Sequence, residues 1–387
     1  MEIQTTESTG RQVLGLQNAP FLKTSMSTRI IMLIVLLSLV PAVLVQIYFF
    51  GMGIVVQFVI CALTSIIMES IVAFLRKRSI LHTLSDFSYL VIALLLAFTL
   101  PQLLPWYYTV IATSFAIIVV KSVFGGLGNN IFNPAMAGFI FVVISCPQVM
   151  TNTFIIPNEG AFNVANLRNV TQVIFNGQNP EILRAQVLRY DKYQYQKTNS
   201  KVSQDKSNIN VDSFTGATYL EKIKSFRKSG NLHEVSGHSF LDNEYLAYLA
   251  LAVAYSLGGL ILCLFKIIIK RMVITFFLAF AGIQYMMHLW YPGVFMNVTD
   301  GLLFGGTMLG AFYIITDPVT NAGTSKGRIY FAVLVAFLIV MIRGYGSYSD
   351  AVAFAVMLAN GCAPLIDKLT SRRSYGVNFS KEELHHE

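Results

Sequence analysis

The side chains with the clearest capacity for chemistry lie in one polar stretch, Asp212-Ser213-Phe214-Thr215-Gly216-Ala217-Thr218. A threonine hydroxyl is a poor nucleophile, but it becomes the anchor of a phosphoester when another enzyme transfers a phosphate-bearing group onto it. Thr218 has the setting for that. Gly216 and Ala217 leave the approach open, Thr215 and Ser213 add hydroxyls, and a polar loop can enter a modifying enzyme as an extended segment. On the residues alone, a polar turn that contains threonine is the plainer account.

Other reactive side chains are isolated. Cys61, Cys146, Cys263 and Cys362 lie far apart, in or at the ends of apolar runs, without a Cys-x-x-Cys pair. That argues against an iron–sulfur centre on this chain and reads as small buried hydrophobes. No two histidines share helical spacing within one span, so a haem between helices is not expected, and His233 and His238 read as solvated loop residues. Neither a metal site nor a catalytic residue is expected. Glu69 lies about two helical turns before Arg76, and reads as an interfacial partner of Arg76-Lys77-Arg78 or as a proton or sodium ligand. Its closeness to the end of its span favours the interfacial role. Asp317, next to Pro318, reads as a helix-end residue. Asn133-Pro134-Ala135 is similar to the water-channel signature, which would suggest a solute channel or transporter, but such channels use a pair of these triplets and no second one is present.

The elements that must position these groups belong to a bilayer. Hydrophobic residues make up 55% of the 387, charged residues only 12%, and mean hydropathy is +0.59, outside the soluble range. Apolar runs such as Ile30 to Met68, Phe87 to Val120 and Ser122 to Asn158 each hold one or two spans at roughly 20 residues per crossing. β-barrel alternation is absent, so helices must satisfy the backbone. The expected fold is an all-α polytopic membrane protein, with about ten transmembrane helices in two five-helix halves. Five spans per half would invert one half relative to the other, as in repeats that use broken helices. Several second-half spans, Leu302 to Ile315, Ile329 to Ile342 and Ala351 to Ile366, are expected to be short. Gly305-Gly306 and Thr316-Asp317-Pro318 flank the first of these, which suggests a broken helix, with close helix packing through glycine as the alternative.

The formal net charge is +8, but Lys and Arg stand at the ends of apolar segments rather than in a patch, which speaks against a nucleic-acid partner. Arg29, Arg76-Lys77-Arg78, Lys121, Lys266 with Lys270-Arg271, Lys326 with Arg328, and Lys368 with Arg372-Arg373 fall on one side, with Arg343 the exception. Both termini are therefore expected in the cytoplasm. Residues 1–28 form a cytoplasmic tail, 29–150 a first transmembrane half, 151–243 a periplasmic loop, 244–367 a second transmembrane half and 368–387 a second cytoplasmic tail. No cleavable signal is expected, because the first apolar run is too long for a signal h-region.

Asp212 to Thr218, read as Asp-x-x-Thr-Gly-Ala-Thr, looks like the covalent flavinylation motif. It occurs with Phe124-Gly125-Gly126-Leu127-Gly128, Asn129 to Ala135, Gly306-Thr307-Met308-Leu309-Gly310-Ala311-Phe312, Thr316-Asp317-Pro318-Val319-Thr320 and Ala351-Val352-Ala353-Phe354-Ala355-Val356. With these, the chain from about Ser25 to Tyr375 resembles the D subunits of Rnf (Rsx) ion-translocating electron transport complexes. It is more distantly similar to the B subunits of sodium-pumping NADH:quinone oxidoreductases. The resemblance implies FMN joined through its phosphate to Thr218, and a second, non-covalent flavin, riboflavin, in the membrane part. It also implies the A, B, C, E and G subunits as partners, a bacterial inner membrane, and electron relay between ferredoxin and NADH-linked subunits coupled to Na+ or H+ transport. The stretch from Asp191 to Asn210 departs from the family pattern and leaves the motif intact.

Overall fold

The computed structural model describes residues 26–126, 128–158, 160–187, 243–346 and 351–371. Among these the chain is helical, with no strand. The first half comprises α1 (Thr28–Phe50), α2 (Gly53–Leu75), the short α3 (Ile80–Leu84), α4 (Ser88–Thr99), α5 (Trp106–Ser114) and α6 (Pro134–Ser145). α5 runs on as a π-helix over Phe115–Val123. Then come α7 (Pro147–Asn152), α8 (Ala161–Val164) and α9 (Leu167–Asn176). The second half contains α10 (Asn243–Leu264), α11 (Lys270–Trp290), α12 (Val298–Leu303), α13 (Thr307–Leu309) with its π-helical continuation Gly310–Ile314, α14 (Ser325–Tyr345) and α15 (Val352–Thr370).

Seven helices are each long and apolar enough to cross a bilayer: α1, α2, α5 with its continuation, α10, α11, α14 and α15. The chain is a polytopic helical membrane protein. Local chemistry sets the helix ends. Ser27 accepts the Ile30 N–H to open α1, and Asn133 accepts the N–H groups of Ala135 and Met136 to open α6, with Pro134 at the first helical position. Asn-Pro-Ala is thus a helix start. Of the three spans expected to be short, only Leu302 to Ile315 is. α14 and α15 reach 21 and 19 residues because Ser325, Lys326 and Arg328 at one end, and Asp367 and Lys368 at another, continue the helix beyond its apolar stretch.

The two halves share a pattern of neighbours. α2 packs on α5 as α11 packs on α14, and α5 on α6 as α14 on α15. The first helices of the halves, α1 and α10, pack on each other, and so do the last, α6 and α15. One apolar core spans both halves, from Leu39 and Phe139 to Phe276, Phe331 and Val356. The third element of each half opens alike. A residue in the left-handed region, Phe87 (φ 59) or Gly306 (φ 67), precedes a hydroxyl residue, Ser88 or Thr307. Each hydroxyl accepts from a buried cation near the end of the fourth long helix, Lys121 Nζ at 2.7 Å or Arg343 Nη2 at 2.8 Å. Ser88 and Thr307 are as far apart in sequence as Trp106 and Ser325, the starts of α5 and α14.

One end of the bundle is capped by the segment after α6. Met52 N–H donates to Ala165 O (2.9 Å), Leu103 N–H to Thr153 O (3.1 Å) and Asn158 N–H to Phe49 O (2.9 Å). The turns Gly51 to Gly53 and Pro101 to Pro105 therefore share an end with this segment. At Gly51 the approach is so close that an added Cβ would lie 2.5 Å from Ala165 Cβ.

Candidate functional site

A cavity of about 200 Å³ opens between the halves at this capped end. Phe50, Tyr248 and Phe304 line it as a chain of edge-to-face rings, with centroids 5.9 Å and 5.2 Å apart, and Phe98 meets Tyr255 in the same way at 5.5 Å. Met136, Met150 and Met308 add soft apolar wall. Gln102 uses its carbonyl to accept the Ile155 N–H at 3.2 Å, which ties the capping segment to the rim. Gln46, on α1, does not spend its own: Gln46 Oε1 is buried without a partner, alone among the lining side-chain oxygens of the described residues. Such an atom costs stability unless a ligand or water donates to it.

The wall opposite α1 is the interruption between α12 and α13. Gly305 and Gly306 both have φ 67, a conformation that side chains with a Cβ adopt only under strain. Non-helical backbone at membrane depth needs its carbonyls satisfied, and Arg343 does this. Its guanidinium donates to Gly301 O (2.6 Å), Phe304 O (3.1 Å), Gly305 O (3.0 Å) and Thr307 Oγ1 (2.8 Å), from a side chain only 5% exposed. The planar fork suits convergent carbonyls in a way that a lysine ammonium does not. Arg343, the exception in the charge count, is thus a buried clamp. On the first half the corresponding turn is held by Gln57, which donates to Leu104 O (2.7 Å) and accepts from Thr109 Oγ1 (2.6 Å).

A second polar cluster lies at the other end of the first half. Glu69 is not interfacial: it is 3% exposed and ion-paired to Lys121, itself 3% exposed. Both charges belong to apolar helices, and α2 and α5 pack too closely for either side chain to reach water from there. Lys121 also donates to Ser88 Oγ, which donates to Asp86 Oδ1 at 2.8 Å, so a polar line runs from Glu69 to the half-buried Asp86. Glu69 Oε2 and Ser65 Oγ, a turn apart on α2, are buried without partners. Asp317 behaves as a turn residue, accepting from Val319 N–H and Thr320 Oγ1, each at 3.2 Å.

Residues 15–376 match the NQR2, RnfD, RnfE family. The chain belongs to this family. Proteins named as the D subunit of an ion-translocating oxidoreductase complex are similar to it throughout. The one from Shigella boydii serotype 18 (strain CDC 3083-94 / BS512) is 36% identical over 367 residues, covering 94% of this chain and 99% of its own. Those from Shewanella frigidimarina (strain NCIMB 400) and Escherichia coli O1:K1 / APEC are 36% identical over 365 and 371 residues, covering 93% and 94% of this chain and 97% and 99% of their own.

The expected site residue of this NQR2, RnfD, RnfE family member, Thr218, lies outside the described residues with the rest of Asp212 to Thr218. The structure describes where its segment departs and returns. Arg184 donates to Asn152 O at 3.0 Å, next to Thr151 in the cavity wall, and α10 re-enters with Tyr248 in the opposite wall. Gln46, Lys121 and Arg343 had one sequence signal in common. Each is a lone polar residue inside an apolar helix, where an unpaired group is costly.

Proposed function

We propose that this chain is the membrane subunit of an ion-translocating redox complex and carries FMN covalently on Thr218. The observation that carries the reading is the cavity at the capped end, beside the points where the Thr218 segment leaves and rejoins the bundle. Its residues fit a flavin ring: aromatic and methionine side chains offer a dry slot for a planar heterocycle, and Gln46 Oε1 is a free acceptor for a ring N–H. A bound flavin would supply the electron-transfer chemistry. Gln46 would orient the ring, Phe50, Tyr248 and Phe304 would exclude water, and Arg343 would fix the wall against which the ring lies. Tethering through Thr218 suits a slot that is open on one side.

The related proteins are named as members of a complex, and this supports assembly with A, B, C, E and G counterparts and electron transfer of the ferredoxin:NAD+ type. The charge distribution supports a bacterial inner membrane location with cytoplasmic termini and the Thr218 loop in the periplasm. Riboflavin as a second flavin rests on the family resemblance. For the transported Na+ or H+, the polar line from Glu69 through Lys121 and Ser88 to Asp86 is the chain's best equipped route: a carboxylate oxygen without a partner, held by a lysine, connects to a half-buried aspartate.

The test is in-gel fluorescence of the denatured chain from cells with an intact flavin transferase. The wild type and Thr215→Ala fluoresce, and Thr218→Ala does not; fluorescence that survives Thr218→Ala would move the link elsewhere. No observation favours a solute channel, since Asn133 Oδ1 is committed to its own helix start.

A further inference from the structure

At the end of the bundle away from the capped cavity, α11 and α14 begin side by side and leave a small cavity of about 80 Å³ between them. Arg271 from one helix and Arg328 from the other line it, together with Ser325, Ile269, Met272 and Ile329. Arg328 commits Nε to Ala322 O at 3.1 Å, and among the described residues neither guanidinium pairs with a carboxylate. Asp367, which follows close to this loop, is already taken by the N–H groups of Gly323 (2.8 Å) and Thr324 (3.0 Å). Lys270 and Lys326, both exposed, add charge beside it. The pocket is therefore an uncompensated positive socket.

Beyond the socket the same two helices turn apolar and exposed. Ile274 and Leu278 follow Arg271 along α11, and Tyr330, Val333 and Phe337 follow Arg328 along α14. A basic pocket between membrane helices, continued by an apolar surface at membrane depth, has the chemistry of an anionic phospholipid: phosphate at the interface, acyl chains along the helices. An acidic protein segment would use the charge and leave the apolar continuation without a role. We propose that Arg271 and Arg328 bind the phosphate of an anionic phospholipid, and so hold a lipid against the α11–α14 pair.

The experiment uses the full chain in phosphatidylcholine nanodiscs titrated with phosphatidylglycerol, read as the rise in Tm and as lipid molecules retained in native mass spectrometry. The wild type shows a saturable rise with phosphatidylglycerol and none with inorganic phosphate at matched concentration. Arg271→Gln with Arg328→Gln weakens the apparent affinity about thirtyfold, while Lys368→Gln leaves it unchanged. If the double variant does not fold, each single Gln variant must lose retained phosphatidylglycerol relative to wild type. Four results overturn the proposal: an unchanged titration in the Gln variants, an equal loss with Lys368→Gln, a response to free phosphate, or retention of an acidic partner protein instead of lipid.

Discussion

At the residue scale, the Glu69–Lys121 pair sets the sharpest energetic constraint. Two buried charges offset each other, and removing one strands the other, which costs about 3–5 kcal/mol. Glu69→Gln and Lys121→Met are each expected to lower the unfolding free energy by that order, while the double variant loses less than either single one. Thermal melts of the detergent-solubilised chain decide this, and additive losses would show that the two side chains do not interact. Gln46 makes a different prediction. Gln46→Leu removes one acceptor worth about 0.5–1.5 kcal/mol, so the flavin absorbance and reduction potential should shift in the native protein. Fluorescence of the denatured chain stays intact, because the tether at Thr218 does not involve Gln46.

At the element scale, the interruption between α12 and α13 separates conformational cost from packing cost. Gly306 has φ 67, but an added Cβ there would meet nothing within 4 Å. Gly306→Ala therefore carries only backbone strain, about 1–2 kcal/mol. Gly258, in an ordinary helix, is expected to tolerate alanine worse. Its Cβ would lie 2.0 Å from Tyr313 Oη and 2.1 Å from Ser38 O, at the crossing where α10 meets α1 and the π-helical turns after α13. Comparing the Tm of Gly258→Ala and Gly306→Ala checks the ranking, and a milder effect at Gly258 would mean that the halves are not locked there. Arg343→Lys, which keeps the charge and loses the fork, is expected to destabilise through the freed carbonyls of Gly301, Phe304 and Gly305, by about 1–3 kcal/mol for each one left unsatisfied.

At the scale of the whole molecule, hydrogen bonds from Met52, Leu103 and Asn158 join the capping segment to the hairpin turns, and the basic clusters gather at the other end. Arg29 stacks over Phe87 at 5.1 Å and Arg76 donates to Ser122 O, while Arg271 and Arg328 share one pocket. The proposed topology then predicts opposite labelling in intact cells. A cysteine at Glu221→Cys reacts with an impermeant maleimide before lysis, and one at Lys77→Cys only after it. Protection of Glu221→Cys until lysis would reverse the orientation. The repeat is visible at this scale as well. Lys121 on Ser88 and Arg343 on Thr307 are one device used twice, once with a carboxylate partner and once with backbone carbonyls.

The helices were legible in the residues because lipid leaves the backbone no alternative: apolar runs of the right length, closed by Ser27, Asn133 or glycine turns, can only be spans. The charge count likewise separated the two ends. The partners of isolated polar side chains were not legible. Glu69 stood near the end of an apolar run, and its sequence position favoured an interfacial role that the packing of α2 on α5 denies it. Arg343 broke the charge pattern for a reason stored far away in sequence, at Gly301 to Thr307. The halves showed no convincing sequence similarity, because helix packing conserves spacing and small-residue crossings rather than residue identity. Local chemistry and solvent determined which segments are helices. Only tertiary structure decided which lone charge meets which oxygen, because a buried polar group is satisfied by whatever the fold brings within about 3 Å of it.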